Sequence, residues 1–566
     1  MHAARVGPDR FDRLVPGPPP GERAADALTD PLLDVLPDVP EGIPASTLTT
    51  PAAGTLPRFY RRAAATGYLL TFASIVIALV ATPVLARTLG PTEFGIWAVV
   101  GAGVSYLEVL ELGFGSATVS FIADAAAHRD PTRIRRVIAT SFWTLALPGV
   151  AALLVAGVAA SVGPAVLGLH GSDATAMRVL TVVLGVDLAL SIPSDTLGGA
   201  LVGLGRMDLV NLSLFVVLML QMVGWILVLA VGGRLIALGL VTAGLGLLGQ
   251  VFRYLIVRRL VPGGVSLRPH GVQRDLFRAM GALSGWFALG DLNKIVVQRL
   301  DILLVGVVVD VKAAALYAVS QKLALVSLRA VEPATMVLFP HAADLRAHGD
   351  VPGLRRVLDA GARLSIAITG PVAVCAGFFA QPLLKLWVGP GYARGASVVT
   401  LLTASMVVVS LSTTTQHVLK GIRAARPTGI GSLLDAVLNL GLSIALGLAF
   451  GTWGVAAATL SASAAALLLV MLPAACRALG DSYPRFLLRL ARANIPPALV
   501  AAGCAAALRL ADPHPGWRAL LEVAGVGAVY VALLTRTALA ADERERIAAR
   551  LVGSGHRLDR RSRSAG

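Results

Sequence analysis

The chain has 566 residues, of which 56% are hydrophobic and 14% charged, and its mean hydropathy is +0.75. Soluble domains carry about 25% charged residues, so an ordinary water-soluble fold is excluded and a membrane protein is expected. The formal net charge is +16, but the basic residues stand in short clusters between apolar runs. That pattern points to the charge asymmetry of a membrane protein and away from nucleic acid.

In chain order, residues 1–60 are rich in Pro, Ala, Asp and Thr without periodicity and read as a disordered cytoplasmic tail. The tail is too long before the first apolar run for a signal peptide. Apolar runs then recur at about 66–86, 94–122, 139–167, 174–200, 211–231, 235–257, 280–306, 313–339, 361–386, 395–419, 428–449, 452–475, 494–511 and 518–538. Each supplies roughly 20 residues, enough to cross about 30 Å of hydrocarbon as a helix. Strands of a barrel would be shorter and alternating. The expected fold is therefore an all-α polytopic membrane protein of about fourteen transmembrane helices.

Charge in the loops keeps one phase. Arg58, Arg61 and Arg62 precede the first run, and Arg129, Arg133, Arg135 and Arg136 follow the second. Further clusters include Arg258 and Arg259, Arg355 and Arg356, and Lys420, Arg423 and Arg426, while the opposite loops hold singles such as Arg87, Arg234, Lys312 and Arg394. Both termini are accordingly expected in the cytoplasm, the last as a basic tail over 541–566. Local likenesses about 220 residues apart, TEFGIWAVVGAG with VKAAALYAVSQK and LVGLGRMDLVN with VLKGIRAARPT, suggest two six-helix halves, 61–260 and 261–478, with two added helices in 479–540. Parallel repeats of this kind suit alternating access around a central cavity.

The seventh run, ALGDLNKIVVQRLDILLVG, carries Asp291, Lys294, Gln298, Arg299 and Asp301. On a helical wheel Asp291, Lys294, Gln298 and Asp301 share one stripe. A charge at mid-bilayer costs at least about 2.5–3.5 kcal/mol, so the stripe should face a wet cavity or partner charges. An internal network in which Asp291 and Lys294 neutralise each other is the alternative. Lys294, Arg299, Lys322 and Arg329 are candidates for a phosphate or acidic sugar, since Lys and Arg both suit phosphate oxygens, and Asp291 and Gln298 complete the candidate substrate-binding set. Glu108, Glu111, Asp187, Asp301 and Asp435 are candidates for proton or cation coupling. A cavity between the halves is expected to collect these groups. His341 and His417 lie near helix ends and read as structural or as protonation sites.

The stretch ARTLGPTEFGIWAVVGAGVSYLEVLELGFGSATVSFIADAAAHRD, with LGPTEFG after the first helix and ELGFGSA in the second, resembles membrane proteins for polysaccharide biosynthesis. These are the O-antigen or repeat-unit flippases of the multidrug/oligosaccharidyl-lipid/polysaccharide exporter superfamily. RLDILLVGVVVDVKAAALYAVSQKL resembles their seventh and eighth helices, and the likeness spans about 60–480. It implies translocation of polyprenyl-pyrophosphate-linked oligosaccharides across the cytoplasmic membrane for cell-surface polysaccharide, beside a polymerase and glycosyltransferases. A cation-coupled drug exporter, a lipid II flippase and a non-transporting assembly scaffold remain alternatives. The chain has no GxxxxGK[ST] loop, no HExxH and no Cys/His cluster, and its three cysteines lack metal-ligand spacing. No enzyme, cofactor or metal is expected, and the coupling ion, H+ or Na+, is left open.

Overall fold

The structure, a computed structural model, describes residues 58–111, 114–265, 267, 273–513 and 516–538. Side chains are described over that range except at 58–61, 63–64, 109, 282–283, 285–299, 333, 340, 425 and 535–538. Both expected tails, up to residue 57 and over 541–566, lie outside the described residues.

Every described regular element is helical, as lipid demands, because only helices or closed barrels pair all backbone groups internally. In order the helices are α1 (Arg58–Leu107), α2 (Phe114–Ala127), α3 (Pro131–Val166), α4 (Gly171–Gly203), α5 (Met207–Ala230), α6 (Leu235–Leu260) and α7 (Arg274–Val308). Then follow α8 (Val311–Met336), α9 (Leu338–Ala347), α10 (Val351–Trp387), α11 (Ala396–Gly421), α12 (Ala425–Ala465), α13 (Leu472–Ala478), α14 (Tyr483–Ala511) and α15 (Arg518–Ala538). Ten helical stretches among the described residues are long and apolar enough to cross a membrane. Two of them contain a reversal, at Gly90 (φ 77°) and Gly451 (φ 62°). With those doubled and with α7 and α15 added, all fourteen apolar runs are accounted for.

The Gly90 reversal lies in LGPTEFG. A left-handed φ suits glycine, and Pro91 removes the next backbone donor, so the helix folds back there. Aspartates punctuate the other turns. Asp130 accepts from the Thr132 and Arg133 amides at 2.9 Å, Asp310 from Ala313 at 2.6 Å and Asp350 from Gly353 at 2.7 Å, each capping the helix that follows.

The second run does not cross as one helix. It stops at Leu107, tightens to a 3-10 turn over Glu108–Glu111 and restarts as α2. The Glu111 carboxylate closes against Gly115 in the first turn of α2, so the two glutamates occupy a break where an unbroken span was expected. α14 and α15 pack on α10 through Cys375, Phe379, Ala501, Ala505, Val526 and Tyr530.

One end of the bundle, marked by Gly90, Gly451 and the α7–α8 turn, joins the two halves of the chain. Leu85, Leu89, Phe94 and Val99 of α1 enter one apolar cluster with Val305 of α7, Ala314 of α8, Leu384 of α10 and Val398 of α11. The opposite, basic end carries Arg258, Arg259, Arg346, Arg355 and Lys420.

Polar bonds clasp the same joint. Pro83 has no N–H, so the Leu79 carbonyl one turn earlier lacks its helical partner. The Trp387 indole donates to that carbonyl at 2.6 Å. In return, Arg87 donates to the last carbonyls of α10: Leu386 at 3.0 Å, Trp387 at 2.9 Å and Val388 at 2.9 Å. These are the acceptors a helix C-terminus leaves unpaired, and a cation is favourable there. Replacing Arg87 with glutamine should weaken the clasp by about 1 kcal/mol, given its solvent exposure. Hydrogen exchange at the end of α10 is expected to accelerate about fivefold; unchanged exchange would show that the bonds hold nothing.

Candidate functional site

A cavity of about 320 Å3 lies between α7, α8, α11 and α12. Two aspartates reach it from helices far apart in sequence. Asp301, on α7, is 2% exposed. Its Oδ2 accepts from the Tyr317 hydroxyl at 2.8 Å and the Thr459 hydroxyl at 2.8 Å. Its Oδ1 is buried with no partner among the described residues. Asp435, on α12, accepts from Ser463 at 3.1 and 3.4 Å.

Between them Asn439 donates to Thr459 at 3.3 Å, and its own Oδ1 is a buried acceptor without a described donor. Asp435 and Asn439 are one helical turn apart, as are Thr459 and Ser463, so each arm of α12 turns two oxygen-bearing residues to the same side. Gly451 folds the arms together, placing both pairs against Asp301.

The chemistry of this cluster is narrow. It offers carboxylate, amide and hydroxyl oxygens, and two of its buried acceptors have no hydrogen-bond partner among the described residues. A buried unpaired carboxylate oxygen is costly. A small hard cation or a proton relieves that cost, and oxygen donors of this kind suit such cations. Among the described residues no group of three or more His, Cys, Asp or Glu converges as a metal site.

The remaining sequence candidates are placed as follows. Asp291, Lys294, Gln298 and Arg299 lie on α7 with side chains outside the described residues. Lys322 and Arg329 lie on α8, both exposed and neither among the cavity's lining residues, and Arg329 stands 3.9 Å from Glu332. Glu108 and Glu111 occupy the break before α2. Asp187, on α4, closes against Gly246 of α6. Two turns further along α4, Asp195 stands 3.6 Å from Arg253.

The described lining of the cavity therefore comes wholly from residues 301 onward. The expected cavity between the halves, gathering the charged stripe of α7, falls largely on side chains outside the described residues. Within the described ones, α1 packs on α7 and α8 at the Gly90 end, and Asp301 turns toward Thr459 of α12. Tyr317 and Trp97, paired in the sequence likeness, have different surroundings: Trp97 packs edge-on against Trp225 at 5.7 Å, whereas Tyr317 is fully buried and holds Asp301. The sequence reading missed Thr459, Ser463 and the role of Tyr317. The four-residue spacing of Thr459–Ser463, matching Asp435–Asn439, was the available signal.

With this geometry in hand, comparison with known proteins places the chain. A family described as polysaccharide biosynthesis protein matches residues 84–397. The uncharacterized membrane protein EpsK of Bacillus subtilis (strain 168) is 20% identical over 376 residues, covering 66% of this chain and 74% of that protein. Among solved structures, the lipid II flippase MurJ in an inward closed conformation superposes with a TM-score of 0.65 at 12% identity, over 83% of this chain and 98% of that one. An inward-facing multidrug resistance MATE family transporter of the MOP superfamily gives 0.62 at 14% identity, over 73% and 95%. At these identities the likeness shows a shared fold.

Proposed function

The chain belongs to the polysaccharide biosynthesis protein family, and from that membership we propose that it is a flippase of the cytoplasmic membrane. Its substrate is a polyprenyl-pyrophosphate-linked oligosaccharide repeat unit, made by glycosyltransferases and consumed by a polymerase. It performs no covalent chemistry on that substrate. The basic end faces the cytoplasm, as the positive-inside bias requires, and both termini lie there.

The observation that carries this reading is the closure of the Gly90 end, where the Arg87–Trp387 clasp joins α1 to α10. A joint that shuts one end between two packed halves is what one state of alternating access requires. A polar cavity within the second half separately reaches the basic end, where Met336 is 65% exposed. The Asp301–Asp435 cluster is the coupling site and takes Na+ or H+. A charge moved through 100 mV supplies about 2.3 kcal/mol. Lys294, Arg299, Lys322 and Arg329 receive the pyrophosphate.

The test is mass spectrometry of polyprenyl-pyrophosphate sugars in a deletion strain complemented with wild type or Lys294→Ala. Complete repeat units should accumulate without the gene, clear with wild type and persist with the variant. Unchanged lipid-linked sugar with altered drug tolerance would replace this reading with small-molecule export.

A further inference from the structure

We propose that the cavity is a half-channel inside the second half of the chain, through which a monovalent cation passes between the Asp301–Asp435 cluster and the basic-end solvent without any separation of the two halves. The inference rests on the coupling reading above and adds the route.

Depth is the first argument. Asp301 is seven residues from the end of α7 and Tyr317 six from the start of α8, so the cluster lies about 10 Å from the Gly90 end. On α8 the cavity is lined from Gln321 to Met336, about 22 Å of helix. The lining positions Gln321, Leu325, Leu328, Glu332 and Thr335 recur at helical spacing and form one continuous stripe. On α11 the matching stripe ends in Gln416, His417 and Lys420.

Polarity is the second. Ser410, Ser412, Thr413, Gln416 and Ser463 line the middle, and the volume has room for on the order of ten waters. At the mouth Glu332, His417 and Lys420 meet, and the buried Nδ1 of His417 has no partner among the described residues. A hydrated file needs such unspent donors and acceptors. These three and the two aspartates are the titratable groups of the described lining.

The seal is the third. Beyond Asp301 toward the Gly90 end stand Val305, Ala314, Val398 and Val455, each no more than 1% exposed, and the apolar cluster they share includes α1. The path is therefore open at one end and dry at the other. Because its described lining lies wholly on α7, α8, α11 and α12, cation exchange at the basic end is separable from substrate entry.

The experiment uses full-length protein, freed of its three native cysteines and reconstituted in oriented proteoliposomes. A single cysteine at Met406, deep on α11 and 7% exposed, is challenged with a charged, membrane-impermeant thiol reagent from either side. Modification is expected from the basic end only. Adding His417→Trp, or Gln416→Trp should that variant fail to fold, is expected to slow it about tenfold or more, a barrier raised by about 1.4 kcal/mol.

Equal labelling from both ends, or indifference to both tryptophans, overturns the half-channel. The coupling reading is tested separately by wild-type transport with Na+ replaced by choline or with the proton gradient collapsed. Loss in one arm identifies the cation, and loss in neither removes the premise and the half-channel's purpose with it.

Discussion

Asp301→Asn is expected to abolish export of lipid-linked sugar while the protein still accumulates in the membrane. Asparagine keeps the shape of the side chain, and its oxygen still accepts from Tyr317 and Thr459, which lie at 2.8 Å. What it removes is the negative charge of the carboxylate, whose buried Oδ1 has no partner among the described residues. Asp301→Ala should behave differently. It leaves the Tyr317 hydroxyl buried without its acceptor, at about 1–3 kcal/mol, so the amount of folded protein should fall as well. Thr459 is partly protected, because the Val455 carbonyl accepts from it at 3.1 Å. The check combines mass spectrometry of the lipid-linked pool with immunodetection of the membrane protein. Full complementation by Asp301→Asn would mean that the cluster is structural and that coupling resides elsewhere.

The second large effect concerns the closed end. Gly95 of α1 meets α8 so closely that a Cβ there would overlap the Val311 carbonyl oxygen and lie 2.8 Å from its carbon. The neighbour is backbone and cannot rotate away. Gly95→Ala should therefore push α1 off α8 at a joint where the apolar cluster otherwise packs flush. Overpacking of this kind costs about 1–3 kcal/mol. Because the strain exists only while the joint is closed, it acts on the conformational equilibrium and shifts it about 5- to 150-fold toward the state open at the Gly90 end. Spin labels at Thr88 and Lys312, both exposed, would report the change as growth of a longer distance. An unaltered distribution would show that the joint does not open in the transport cycle. Arg87→Gln acts on the same joint by a different route, removing attraction where Gly95→Ala adds repulsion. The two should shift the equilibrium in the same direction.

Much of the candidate site was legible as composition and little of it as geometry. The wheel grouped Asp301 with Asp291 and Lys294, because a wheel reports which residues share a face of one helix. It cannot report what stands opposite. One partner of Asp301, Thr459, is 158 residues away, and only the folding back of α12 at Gly451 brings it near. Asp435 was named as an intramembrane carboxylate, but its proximity to Asp301 needed the contact between α7 and α12. The break at Glu108–Glu111 was hidden for another reason. The local hydropathy is high enough to continue a span, and the closeness of the Glu111 carboxylate to Gly115 at the restart is a packing fact that hydropathy does not carry.

The sequence by itself determined that the chain is helical and crosses a membrane, how many apolar runs it has, where its reversals fall and which family it resembles. Those properties follow from local rules: lipid forces backbone groups to pair within the segment, about 20 apolar residues span it, and Gly-Pro in LGPTEFG turns it. Only the tertiary structure decided that the halves are clasped through Arg87 and Trp387, that the described lining of the cavity comes from one half, and that two aspartates converge inside it. Each of those depends on which helix faces which. That choice is made by close packing and by the pairing of buried polar groups across hundreds of residues, and no local pattern encodes it.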